Sequence, residues 1–359
     1  MKRLGLKDPR PFFRLLPFDS AAGGRVALIL VLAMLGCKES GSKPGPVESG
    51  KKAIHVGIVF DVGGIDDKSF NELAYKGLLR AKNELGVETQ YYQPSQPADR
   101  KTGLRQFASK NFDLIIGVGF IFSDDMIGMA KDFPSLKFAC IDMVDKPDAE
   151  IPPNLVGLKF REEQGAYLVG SLAGLLTKTK KVGFVGGMNV PLIHKFEAGY
   201  RAGVKHVAPD VDVVVNYAGE TPKAFEDPET GKNRAIEQYK SGVDIIFHAS
   251  GKTGLGVFQA AKELNKLAIG VDADQYGEAP GNVLTSSTKG VDLVVIDTIR
   301  AVKDGTFKGG KQVYGLKEGG VGFVYDDHNK SLIPDDVYKK VLAIKDEIIQ
   351  GKVEVPATR

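Results

Sequence analysis

The chain has 359 residues, enough for two domains with separate cores, and an ordinary globular composition of 43 % hydrophobic and 26 % charged residues. A net charge of +3, part of it carried by the first 25 residues, excludes a nucleic-acid surface in the body of the protein. Cys37 follows a leader and Cys140 ends a predicted strand, so no disulfide framework is expected.

The first segment reads as an address, not as part of the fold. Lys2, Arg3, Lys7, Arg10, Arg14 and Arg25 precede an apolar run over 26–35, shorter than the ~20 residues that span a bilayer. Met34-Leu35-Gly36-Cys37 closes the run and resembles a bacterial lipobox, which implies a signal peptide over 1–37 and lipidation of Cys37. Residues 38–52, rich in Gly, Ser, Pro and charge, read as a flexible tether. The protein is therefore expected outside the cytoplasm, anchored to a membrane.

From residue 54, short β-branched runs alternate with longer helical stretches, the pattern of a parallel α/β sheet. Strands are predicted over 54–60, 87–92, 113–118, 136–142 and 154–159, with helices over 69–84, 98–109 and 123–132. The stretch 161–177 is predicted as a helix whose Gly165, Gly170, Ala173 and Gly174 mark close packing. A second set follows, with strands over 181–186, 211–217, 243–248 and 266–271 and helices over 195–207, 231–241 and 253–264. Strand 283–288, helix 291–303, a loop and strand within 318–325 and helix 335–349 complete the chain.

The two sets repeat each other. Val56-Gly57-Ile58-Val59-Phe60 leads to Phe70, and Val182-Gly183-Phe184-Val185-Gly186 leads to Phe196; Gly57 to Phe70 and Gly183 to Phe196 are both 13 residues. Apolar runs ending in Asp142 and Asp272 match in the same way. The pattern predicts two Rossmann-like lobes with parallel sheets and a ligand cleft at the carboxyl ends of the strands. Strand 283–288 and helix 291–303 exceed what the repeat needs, so the chain is expected to return to the first lobe there. The expected lobes are 53–159 plus 284–312, and 160–283 plus 313–359.

The densest polar motif is Asp61-Val62-Gly63-Gly64-Ile65-Asp66-Asp67-Lys68-Ser69-Phe70-Asn71-Glu72, directly after a buried strand. Ser69 is expected to cap the following helix, with Glu72 completing a capping box. Acidic strand ends at Asp61, Asp142 and Asp272-Ala273-Asp274 could serve a glycosidase, or could accept hydrogen bonds from ligand hydroxyls. His55, His194, His206, His248 and His328 show no metal-ligand spacing, and no metal or cofactor is expected. Gly251-Lys252-Thr253-Gly254 lacks the earlier glycine of a phosphate loop and reads as a turn with backbone amides facing the cleft.

The motif over 61–71 resembles the opening signature of the basic membrane protein family, purine nucleoside receptor lipoproteins similar to type I periplasmic binding proteins. The resemblance continues through Lys195-Phe196-Glu197-Ala198-Gly199-Tyr200-Arg201-Ala202-Gly203, Ala249-Ser250-Gly251-Lys252-Thr253-Gly254, Gly270-Val271-Asp272-Ala273-Asp274-Gln275 and Asn282-Val283-Leu284-Thr285-Ser286. It implies a monomeric receptor that captures inosine, guanosine or adenosine for the permease subunits of an ABC importer, without chemistry of its own. By this resemblance Phe70 stacks on the purine, Asn71 and Asp61 hydrogen-bond the base, and Asp142, Asp272 and Lys289 hold the ribose hydroxyls. Phe247 is the implied second ring, with Phe196 as the alternative, and Gly251 borders the ligand. Lys252 adds a charge near the cleft mouth. The readings from other classes are a nucleoside or sugar hydrolase and a surface adhesin or sensor.

Overall fold

The computed structural model describes residues 53–96, 98–145 and 150–359. The expected signal peptide, Cys37 and the whole of the expected tether lie outside the described residues. The first half runs β1 (His55–Val59), α1 (Phe70–Leu85), β2 (Glu88–Tyr92), α2 (Asp99–Ser109), β3 (Leu114–Val118), α3 (Ser123–Asp132), β4 (Lys137–Ile141) and β5 (Leu155–Phe160). Then follow α4 (Glu162–Leu176), β6 (Lys181–Met188), α5 (Pro191–Val207), β7 (Asp212–Gly219), α6 (Pro228–Lys240), β8 (Ile245–Ala249), α7 (Gly254–Glu263), β9 (Leu267–Asp272) and β10 (Val283–Lys289). The chain ends with α8 (Val291–Lys303), β11 (Gly310–Tyr314), β12 (Val321–Phe323) and α9 (Asp335–Ile349). Central strands such as Leu-Ile-Ile-Gly-Val in β3 are buried at every residue, as a parallel sheet covered on both faces requires.

Two six-stranded sheets form, in the orders β11-β5-β4-β3-β1-β2 and β12-β10-β9-β8-β6-β7. Each pairing in the first is parallel, and in the second only β12 runs antiparallel to its neighbour. The two orders are copies of each other, with β10 standing where β5 stands. The strand expected as surplus thus belongs to the repeat, and placing residues 284–289 in the first lobe is corrected. Residues of β10 from Val283 to Thr288 pair with β9, and this buried backbone has its hydrogen bonds there.

The chain leaves the second lobe only after Lys289. Helix α8 then packs on α1, and β11 adds to the first sheet beside β5. Strand β11, a mostly exposed edge, carried no apolar signal in the sequence. Helix α4 makes the reciprocal exchange, following β5 but packing on α5. Each half therefore sends the helix after its fifth strand to the first helix of the other half. Glycines permit both contacts: a Cβ on Gly77 would meet the Asp292 carbonyl, and one on its repeat mate Gly203 the Tyr167 carbonyl. Gly170 of α4 likewise has no room for a Cβ beside the Tyr200 carbonyl, so the small-residue face serves close packing. No helix among the described residues is long and apolar enough to cross a membrane.

Candidate ligand-binding site

The carboxyl ends of the strands in both lobes face one cavity, whose empty volume is about 580 Å³ counting its mouth. One end is built around Lys289, at the end of β10. Its ammonium lies 2.7 Å from Asp142 Oδ2 and 3.1 Å from Glu162 Oε1, and only 4 % of its side chain is exposed. The rings of Phe160, Phe70 and Phe196 have their centres 4.9, 5.0 and 5.9 Å from Nζ. Lys195 braces the same cluster, at 2.6 Å from Glu162 and 3.6 Å from Glu163.

Burial opposes the charge on Lys289, but Asp142, Glu162 and Asp272 outweigh it and hold the ammonium above its usual range. Burial pushes Asp142 up despite Lys289. It pushes Asp272 up to about 6, against the opposing pull of Lys289 and the Ser69 hydroxyl. Glu162 is also buried, yet Lys289 and Lys195 together keep it below its usual value. Asp142 and Asp272 occupy equivalent positions after β4 and at the end of β9, both with left-handed backbone (φ 59° and 64°) that aspartate tolerates better than most residues. Buried Asp142 Oδ1 has no hydrogen-bond partner. This end of the cavity holds more carboxylates than cations and can accept hydrogen bonds from neutral hydroxyls.

Asp61, just beyond β1, marks the other end. The β4, β3 and β1 strand ends lie side by side, so Asp142 and Asp61 are two strand spacings apart, roughly 10 Å. Gly119 makes room for the Asp61 carboxylate, because a Cβ there would strike Oδ2. Asp61 Oδ1 accepts the Val62 N–H at 2.6 Å, and burial raises its pKa to about 7. Phe70 and Phe196 line the walls, and Phe120 of the first lobe meets Phe225 of the second edge-on at 6.3 Å.

A family described as "ABC transporter substrate-binding protein PnrA-like" matches residues 54–359. The chain belongs to that family. It is 39 % identical to a CD4+ T-cell-stimulating antigen of Listeria innocua, over 92 % of this chain and 96 % of the relative. It is 37 % identical to basic membrane protein A of Borreliella burgdorferi, over 93 % and 96 %. A solute-binding protein of an ABC transporter system from Aeropyrum pernix superposes with a TM-score of 0.78 at 30 % identity, covering 85 % of this chain and 94 % of that one. The PnrA-like protein is thus a substrate-binding component of an ABC transporter, not an enzyme.

Of the residues expected in the PnrA-like site, Asp61, Phe70, Asn71, Asp142, Phe196, Gly251, Asp272 and Lys289 line the cavity. Phe247 does not, and its expected role is corrected. It is fully buried in β8, with Tyr200 at 5.3 Å, Phe184 at 5.6 Å and Phe196 at 6.3 Å between ring centres. Phe196 covers the cavity and Phe247 supports it from the core. Asn71 is present but mostly committed to the protein: both amide hydrogens are used by Val62 O and Asp67 Oδ2, and Oδ1 accepts the Asp61 N–H. One carbonyl lone pair remains for a ligand.

The expected capping box is also corrected. Asp67, not Ser69, accepts the N–H groups of Ser69, Asn71 and Glu72 at the start of α1. Glu72 pairs outward with Lys68 and Lys76. Ser69 Oγ instead donates across the cleft to Asp272 Oδ2 at 2.5 Å. Two more ties cross beside it, Gln275 Nε2 to Lys68 O at 3.0 Å and Lys252 to Asp66 at 3.3 Å. Buried His248, lowered to about 4 by desolvation, is a neutral imidazole bonded to the same Gln275. Sequence reasoning missed Glu162, Lys195, Phe120 and Phe225. Glu162 looks like an ordinary acid in a helix's first turn, and Phe225 sits in an irregular segment with no periodicity to read.

Proposed function

We propose that this protein captures purine nucleosides outside the cytoplasm and passes them to an ABC permease, acting as a monomer anchored through lipidated Cys37. The observation that supports this most is the two-ended cavity: an acid-rich end for ribose hydroxyls and a separate polar end about 10 Å away, with aromatic walls between them. The Asp61 end presents acceptors, a carboxylate and the spare lone pair of Asn71. Guanine offers N1–H and a 2-amino group along one edge, so guanosine is the nucleoside best matched. Two relatives from Pyrococcus are named uncharacterized lipoproteins, which supports the anchor.

Titration of the soluble domain with guanosine, inosine, adenosine and ribose by calorimetry tests the reading. Guanosine should bind tightest and ribose hardly at all; no response to any nucleoside would sink it. Phe70→Ala and Phe196→Ala should each weaken guanosine by roughly ten- to a hundredfold, since aromatic–base stacking is worth ~1–3 kcal/mol. Phe247→Ala should instead cost the unliganded fold about 3–5 kcal/mol, as a large core truncation does. Light scattering of the same domain reads the monomer. In cells, Cys37→Ser should release the protein from the membrane fraction while guanosine binding survives; unchanged partition would remove the anchor from the proposal.

A further inference from the structure

Behind Asp61 and Val62 the cleft opens into a second chamber, with an empty volume of about 1130 Å³ counting its opening to solvent. Asp61 and Val62 line both spaces, whereas Asp142, Asp272 and Lys289 line only the inner one. The chamber therefore adjoins the end assigned to the base, not the ribose end. Its walls come from both lobes and carry polar groups, including Gln93, Gln96 and Thr221.

The chamber's charges are unequally satisfied. Lys252 is paired with Asp66. Arg100, in the first turn of α2, is half-buried with its guanidinium 5.6 Å from the centre of the Phe122 ring, yet it makes no hydrogen bond or ion pair with any described residue. Its Nε is buried without a partner, and the charge it acts on most directly is Asp61. Exposed Lys223 adds a second positive charge to the same wall, and exposed Glu226 a negative one. A planar fork of donors without a carboxylate is suited to receive one.

Resting on the assignment of Asp61 to the base, we propose that the outer chamber is a second subsite, which takes a carboxylate-bearing arm attached to the base edge of a purine nucleoside. The substrate class widens accordingly, from plain nucleosides to base-modified ones with an acidic substituent. The arm leaves the base past Asp61 and ends at Arg100. An anion on the ribose side has no such outlet, because it would meet Asp142, Glu162 and Asp272 around a single lysine.

Calorimetry with guanosine, N2-carboxymethylguanosine, N2-propylguanosine and guanosine 5′-monophosphate tests the subsite. The carboxymethyl compound should bind at least tenfold tighter than the propyl one, and Arg100→Ala should bring that ratio near one. The ratio isolates the arm from any indirect effect of Arg100 on Asp61. The 5′-monophosphate should bind at least tenfold more weakly than guanosine. If guanosine binds but neither N2 derivative does, or if the ratio survives Arg100→Ala, the subsite is overturned. A 5′-monophosphate that binds tightly through Arg100 would overturn it too, by placing ribose at this end. Absence of guanosine binding would instead overturn the nucleoside reading itself, and the subsite with it.

Discussion

Lys289→Met should destabilise the unliganded protein by about 3–5 kcal/mol, the usual cost of leaving buried charges without their partner. Methionine keeps most of the side-chain volume but strands Asp142 and leaves Glu162 with Lys195 alone; the two carboxylate side chains are 4 % and 1 % exposed. The loss should depend on pH with a definite sign. Without the ammonium, burial raises the folded-state pKa of Asp142 still further above its unfolded one, so the folded variant binds more protons than the unfolded chain. Stability is then regained as pH falls through the raised value towards ~4, and the deficit is largest above it. Urea titrations at pH 7.5 and pH 5 read this directly. Adding Asp142→Asn to the variant should recover part of the loss at pH 7.5. An unchanged midpoint in the single variant would show that the cluster contributes nothing to the fold.

Acidification should change which nucleoside is preferred. Asp61, with its pKa near 7, faces Arg100 and the Val62 N–H, which favour the carboxylate, and Asp142 and Asp67, which oppose it. The ionised form accepts the N1–H and 2-amino hydrogens of guanine. The protonated form can instead donate to a ring nitrogen of adenine while its other oxygen accepts from the 6-amino group. Between pH 8.5 and pH 5.5 the ionised fraction falls by about 30-fold, so guanosine affinity should fall by about as much. Adenosine affinity should rise over the same range. Titration of Asp272, near 6, acts on the ribose of both nucleosides and cancels in their ratio. Asp61→Asn should abolish the pH dependence of the ratio. A ratio that does not move with pH in the parent protein would show that Asp61 does not read the base.

Local pattern made much of the site legible. Asp61, Asp142 and Asp272 each close a buried apolar strand, and the carboxyl edge of a parallel sheet is where ligands bind. Phe70 opens a helix directly after a glycine-rich loop, and its repeat mate Phe196 lies 13 residues beyond Gly183, as Phe70 does beyond Gly57. Lys289 was reached only through the family resemblance. Its chemistry depends on Asp142 and Glu162, which come from other strands and helices far away in the chain. Ser69 shows the same limit, since a serine three residues before a glutamate is a capping signal in any sequence. Asp67 took the capping role here, leaving the hydroxyl free to cross the cleft.

The alternation of strands and helices, the two-fold repeat, the glycines that let helices touch and the acidic strand ends are all legible in the linear chain. All of these rest on interactions or steric limits within a few residues, or on hydrophobic period, which a linear string records. Long-range packing is what puts β10 in the second sheet, exchanges α4 and α8 between the lobes, and turns Phe196 to the cavity while Phe247 stays behind it. In a strand buried on both faces apolar residues point to both sides, so the pattern cannot say which side of the sheet a ring joins. Only the pairing of β8 between β6 and β9, and the packing of α5 over them, puts one phenylalanine on the ligand and the other in the core.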